Sequence, residues 1–157
     1  MNALVIDFFM LYSRIEYALV FSPGFLNKGR GGEAKPDWVK FAEVLGVEFF
    51  EKHKSAKETR VLWDDPPWQL IASKDEKDVL VPKFEDMSKK HRKDQDFWPI
   101  CLLRNRIFHG QSHDYLPRHK ILLEGAIIVL NDALTQSRDK KELAHFIHNF
   151  DKSALRT

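Results

Sequence analysis

Apolar residues recur along this chain at the three-to-four-residue spacing of helices that bury one face. Leu4, Phe8, Leu11, Ile15 and Leu19 keep that spacing across residues 2–21, and Val5, Phe9 and Tyr12 widen the stripe. A first helix is predicted there, ended by Ser22-Pro23-Gly24. A second is predicted from Pro36 or Asp37 to His53, with Trp38, Phe41, Leu45 and Phe49 in period and Val44 and Phe50 beside them. A third starts at Asp94 or Asp96, either acid suiting an N-cap, and runs through Phe97-Trp98-Pro99 to His109, where Gly110 stops it. Pro117 opens a fourth, carrying Ile121, Leu122, Ile128, Val129, Leu130 and Leu134. Ser137 or Asp139 caps a fifth, with Asp139 and Glu142 at capping-box spacing and Leu143, Phe146, Ile147 and Phe150 as the apolar face.

Two stretches break the helical period. Residues 25–35 contain Lys28-Gly29-Arg30-Gly31-Gly32, which suits either a flexible linker or a backbone cradle for phosphate. It lacks the Gly-Lys-Ser/Thr ending and the preceding strand of a P-loop. Residues 55–93 form a long insertion between the second and third helices. Its prolines make Trp63-Asp64-Asp65-Pro66-Pro67-Trp68 a turn, residues 74–78 are a solvated charge run, and Val61-Leu62-Trp63 and Val79-Leu80-Val81 are short strands or irregular packing segments. The expected architecture is all-α, one domain over residues 1–157 built as a four- to five-helix bundle.

Composition narrows the function classes. Of 157 residues, 43% are hydrophobic and twelve are Phe, enough for a packed core and against disorder. The formal charge of +2 leaves no general basic field, so affinity for nucleic acid must come from a local patch. Residues 83–93 offer one: Lys83, Lys89, Lys90, Arg92, Lys93 and His91 against Glu85 and Asp86. A plain solvated helix face accounts for the same charges. Cys101 is the single cysteine, in the apolar run Ile100-Cys101-Leu102-Leu103, so it is expected to be a buried hydrophobe in a reducing compartment. Residues 1–11 are apolar, but Asp7 interrupts them and no basic stretch precedes them, so no secretory leader is expected. With no uncharged stretch of roughly 20 residues to span a bilayer, a cytoplasmic protein without a membrane partner is expected.

Chemistry concentrates in Leu103-Arg104-Asn105-Arg106-Ile107-Phe108-His109-Gly110. Asn105 and His109 are four apart and share a helix face, and Arg104, about 100° round, reaches the same place with its long side chain. Arg106 lies a further step round, on the far side, and Ile107 and Phe108 are available for packing. These residue types suit a phosphodiester. Histidine exchanges protons near neutrality, the arginine fork matches phosphate oxygens, and asparagine orients a ring or a ribose hydroxyl without titrating. A structural role, capping or salt-bridging the helix end to Glu16, uses the same side chains. The remaining histidines, His145 and His148 on the last helix and His113 and His119 about a turn, lack a Cys or carboxylate to complete a ligand set. Neither a metal nor a cofactor is expected.

The segment resembles the signature of the HEPN superfamily: an Arg, a polar residue, three positions and a His near the end of the third main helix of a four- or five-helix bundle. Arg104, Asn105 and His109 match it. Tyr12-Ser13-Arg14-Ile15-Glu16-Tyr17-Ala18-Leu19 resembles the family's first helix, which often turns an acid toward the site, and Glu16 stands there. The helix layout covers most of the chain, but only the six-residue motif is specific, and the 55–93 insertion departs from the minimal pattern. The resemblance implies a metal-independent RNA endonuclease of the toxin or phage-defence kind, a homodimer whose two motifs share one cleft. His109 would be the acid/base, Arg104 the transition-state cation and Asn105 the positioning group, with Arg106 in support and Lys89, Lys90, Arg92 and Lys93 on RNA. A cognate antitoxin protein is an implied partner. A non-catalytic module binding RNA, nucleotide or a protein is the alternative.

Overall fold

The computed structural model describes residues 2–88, 96–108 and 117–154. Among them the chain forms seven α-helices and two small antiparallel sheets, so the protein is mixed α/β and not the all-α bundle expected from the periodicity. Helix α1 (Asn2–Val20) leads into a hairpin of β1 (Leu26–Lys28) and β2 (Ala34–Pro36). Then come α2 (Trp38–Leu45), α3 (Val47–Ser55) and the single turn α4 (Val61–Asp64). A second hairpin pairs β3 (Gln69–Lys74) with β4 (Leu80–Glu85). Helices α5 (Trp98–Phe108), α6 (Pro117–Ser137) and α7 (Ala144–Ser153) complete the order.

The first hairpin falls in a stretch that reads as loop; the second takes up Leu80 and Val81, where a short strand is one of the two expectations. In the first, Gly29 N–H donates to Glu33 O at 2.8 Å and Gly31 N–H donates to Glu33 Oε2 at 2.9 Å. Those N–H groups close the turn, which leaves the phosphate cradle without its donors. In the second, the charge run is itself the turn. Asp75 Oδ1 accepts from the N–H groups of Lys77 and Val79 at 2.8 and 2.9 Å, and Asp78 takes a positive φ of 60°, which Asp tolerates better than most residues. The 55–93 insertion therefore carries a helical turn and a hairpin, and Val61-Leu62-Trp63 belongs to the helical turn.

The second predicted helix is two. Asp37 caps α2 by accepting from Lys40 N–H at 2.9 Å, and Pro36 ends β2 instead of opening the helix. Gly46 then breaks the path at φ 93° and ψ 165°. Asp96 is no simple cap, since its carboxylate takes Lys54 Nζ at 2.7 Å and its carbonyl accepts from Trp63 Nε1 at 3.1 Å; Asp94 lies outside the described residues. The Asp139–Glu142 capping box does not open α7, which follows a 3-10 turn at Lys141–Leu143 with no side-chain cap.

The core is an aromatic cluster wrapped by α1 and α6. Phe41 of α2 stacks on Phe97 at 5.3 Å and tilts against Phe146 of α7 at 4.9 Å, while Phe50 of α3 meets Phe97 edge-on at 5.1 Å. All four are fully buried, each contributing roughly 2 kcal/mol by area. On α6 the buried stripe runs through Leu122, Ala126, Val129, Leu130 and Ala133, whereas Ile121 and Ile128 face outward. Arg14 ties α1 to α7, donating through Nε to Ser153 Oγ and through Nη2 to Phe150 O, each at 3.1 Å.

Candidate functional site

Tyr12 and Glu16 are one turn apart on α1, so they present to the same side. Opposite them α5 presents Cys101, Arg104 and Asn105. Together with Lys35 of β2 they line an open groove of about 710 Å³. The rotation of helix α5 is fixed by Ile100 and Leu103, which are fully buried beside Arg104. Trp38 closes one end. A smaller cavity of about 220 Å³ shares Trp38 and Cys101, and its one carboxylate, Asp37, is the α2 cap.

Arg104 is the organising side chain. Its Nη1 donates to Asn105 Oδ1 at 2.9 Å, and its Nη2 stands 3.7 Å from Glu16 Oε2. The guanidinium lies over the Tyr12 ring at 5.8 Å and the Phe108 ring at 5.1 Å. Its Nε–H is buried and has no acceptor among the described residues. A planar cation braced on two rings beside an open groove is suited to an oxyanion.

The acids around it are biased toward their protonated forms. Burial pushes the Glu16 carboxyl up, against the opposing pull of Arg104 and of the Tyr12 hydroxyl. The Tyr12 phenol is raised well above 10.0 by burial first, then by the neighbouring Cys101 and Glu16. Burial pushes the Cys101 thiol up to about 12. Near neutrality Tyr12 and Cys101 are therefore neutral. Lys35 pairs with Glu33 at 3.0 Å.

Of the residues singled out from the sequence, the structure brings Glu16, Arg104 and Asn105 together. Arg106 is turned away, with its guanidinium over the Phe84 ring of β4 at 5.2 Å. Phe108 does not pack inward as expected: it is 59% exposed and stacks on Phe9 at 6.1 Å. His109, Lys89, Lys90, Arg92 and Lys93 lie outside the described residues, as does His113. His119 is buried on α6, not solvated beside a turn, whereas His145 and His148 are exposed. Lys83 is exposed on β4. Tyr12 and Lys35 were missed as site residues. Tyr12 hides within the apolar stripe of α1, though its i,i+4 spacing to Glu16 was a usable signal, and Lys35 reaches the groove only through a hairpin that reads as loop.

Among the described residues no group of His, Cys, Asp and Glu is placed to hold a metal ion, and no helix is long and apolar enough to cross a membrane. Comparison with protein-family models, with curated proteins and with solved structures finds no match.

Proposed function

We propose that the protein is a metal-independent RNA endonuclease acting through Arg104, Asn105 and His109. The observation that carries this reading is the braced Arg104 fork in an open groove, joined to Asn105 at 2.9 Å. In the reaction a ribose 2′-hydroxyl attacks the adjacent phosphorus while the 5′-oxygen leaves, giving a 2′,3′-cyclic phosphate and a 5′-hydroxyl. One His109 takes the proton of the attacking hydroxyl, and a second His109, from another copy of the chain, protonates the leaving oxygen. Arg104 stabilises the charge on the pentacovalent phosphorus, and Asn105 positions the scissile phosphate. One chain supplies one such histidine, so the active form is a homodimer. A toxin or defence effector restrained by an antitoxin protein fits this activity.

Purified protein should cleave RNA in EDTA to cyclic-phosphate ends, and His109→Ala should abolish cleavage without altering the fold. Equal cleavage by wild type and His109→Ala would sink the reading. A second reading, a module that binds RNA, nucleotide or a protein without cutting, is favoured by one observation: Glu16 already stands at Arg104, 3.7 Å away. In that case RNA stays intact in the same assay. Affinity that falls steeply with salt then identifies phosphate contacts, and a flat response identifies a protein partner.

A further inference from the structure

Arginine Nε atoms account for every buried side-chain nitrogen or oxygen without a hydrogen-bond partner among the described residues: those of Arg104, Arg106 and Arg118. Arg104 belongs to the groove. The other two lie elsewhere, against the β3–β4 hairpin. Leu70 and Phe84 are cross-strand partners and share one face of the hairpin, and Trp68 lies immediately before β3. Arg106 from the last turn of α5 lies over Phe84 at 5.2 Å, and Arg118 from the first turn of α6 lies over Trp68 at 5.5 Å. Both rings remain substantially open to solvent, Trp68 at 38% and Phe84 at 44%.

The two cations are unequally served. Arg118 Nη2 is clamped by Asp65 Oδ1 at 2.7 Å and by the carbonyls of Pro66 and Asp65 at 2.9 and 3.1 Å. Arg106 has no carboxylate partner among the described residues, and burial and the nearby Arg118 charge both push its guanidinium below its ordinary value. Two like charges held close, one of them without a carboxylate partner among the described residues, gain from an anion that touches both. Exposed rings beside them offer a face on which a base stacks, and that combination of stacking platform and phosphate-binding cation is how single strands are held.

We propose that Arg106 and Arg118, braced on Phe84 of the β3–β4 hairpin and on Trp68 just before it, form a phosphodiester-binding subsite for single-stranded RNA, outside the Arg104 groove. The identity of the polymer rests on the ribonuclease reading; the subsite itself rests on the two arginines and two rings. Arg104 and Arg106 are about 200° apart around α5. One strand that touches both therefore passes around the end of that helix, and the hairpin extends the bound length without entering the reaction.

The test is fluorescence anisotropy of the full chain with labelled 2′-O-methyl oligouridine of about 12 nucleotides, a length such surfaces span. This probe has no 2′-hydroxyl to attack, so binding is read apart from cleavage. Arg106→Gln should weaken binding several-fold and reduce the salt slope by about 0.7, one single-strand phosphate contact, with unchanged Tm. Phe84→Ala should weaken it comparably, which guards against misreading Arg118→Gln, a change that also removes the clamp on Asp65 and Pro66. Wild-type affinity and slope in both Arg106→Gln and Phe84→Ala would overturn the subsite. If those two bind normally but Arg104→Gln does not, the subsite falls and the groove stands. If they bind weakly while wild type leaves unmodified RNA uncut, the subsite stands and the ribonuclease reading falls. Absence of oligouridine binding by wild type overturns the subsite.

Discussion

Glu16 Oε2 on α1 stands 3.7 Å from Arg104 Nη2 on α5, too long for a tight ion pair and close enough to occupy the position an incoming phosphate oxygen needs. Glu16→Gln should therefore strengthen oligonucleotide binding by roughly two- to fivefold, the scale of a partly exposed ion pair of less than about 1 kcal/mol, with anisotropy titration as the readout. Its pH dependence has a definite sign. The folded carboxyl is raised above 4.5, with burial the largest cause. The native state thus holds the proton more tightly than the unfolded chain. The stability this contributes is present below the ordinary value and is lost as pH rises through the raised one. Glu16→Gln should flatten that decline in urea titrations from pH 4 upward.

Arg104→Lys keeps the charge and removes the fork. Lysine cannot brace a planar cation on Asn105 and the Tyr12 ring while presenting parallel donors. Loss of one preorganised oxyanion donor typically costs about 10²- to 10³-fold in kcat. Arg104→Lys should show a drop of that order in single-turnover RNA cleavage, with Tm close to wild type because the groove is open. A drop confined to KM would assign Arg104 to binding alone.

Asp132 of α6 takes two partners from α3, Lys52 Nζ at 2.9 Å and the buried His53 Nε2 at 2.8 Å. Burial pushes its carboxyl up, but the hydrogen bonds and charges of Lys52 and His53 outweigh that and leave it below 3.8. The sign is opposite to that of Glu16: the stabilisation is present above the ordinary value and is lost as pH falls through the depressed one. Asp132→Ala should cost about 2 kcal/mol, because it strands a buried ring nitrogen. That corresponds to a fall in Tm of roughly 4–8 °C at this size, measured by calorimetry at neutral pH.

The Cys101 thiol, pushed up by burial to about 12 from an ordinary 9.0, has a thiolate fraction at mildly alkaline pH about 1,000-fold below that of a free thiol. Native protein should resist iodoacetamide over hours at pH 8 and alkylate fully in guanidinium, as read by intact mass. Rapid native labelling would mean that the thiol, which lines the groove, ionises far more readily than its burial implies.

How much of this was legible in the sequence depends on where the burying partner lies. The stripes of α1 and α7 were readable because Phe8, Ile15, Leu19, Phe146 and Phe150 all turn into one core. The hairpins were barely legible beyond a candidate strand at Val79-Leu80-Val81, because β1 is exposed at every residue and β4 at most of them. A strand with no buried face leaves no alternation to find. In the site, Arg104 and Asn105 stood out because they interrupt an apolar helix. Arg118 did not, since its partner Asp65 is 53 residues away and no local pattern joins them.

Gly46 shows why the period alone misled. Trp38, Phe41, Leu45 and Phe49 keep one helical repeat straight across it, yet α2 ends at Leu45, with Gly46 N–H donating to Ala42 O at 3.0 Å. The backbone at φ 93° and ψ 165° lies in a region almost reserved for glycine. A Cβ there would meet nothing within 4 Å, so any penalty is conformational and not steric crowding by neighbours. The bend re-aims α3, placing Phe49 and Phe50 in the core and His53 against Asp132. Gly46→Ala should therefore destabilise by about 2 kcal/mol with little loss of far-UV helical signal. A variant that instead gains both helicity and Tm would show that the chain prefers the continuous helix, and that the bend does not depend on this glycine.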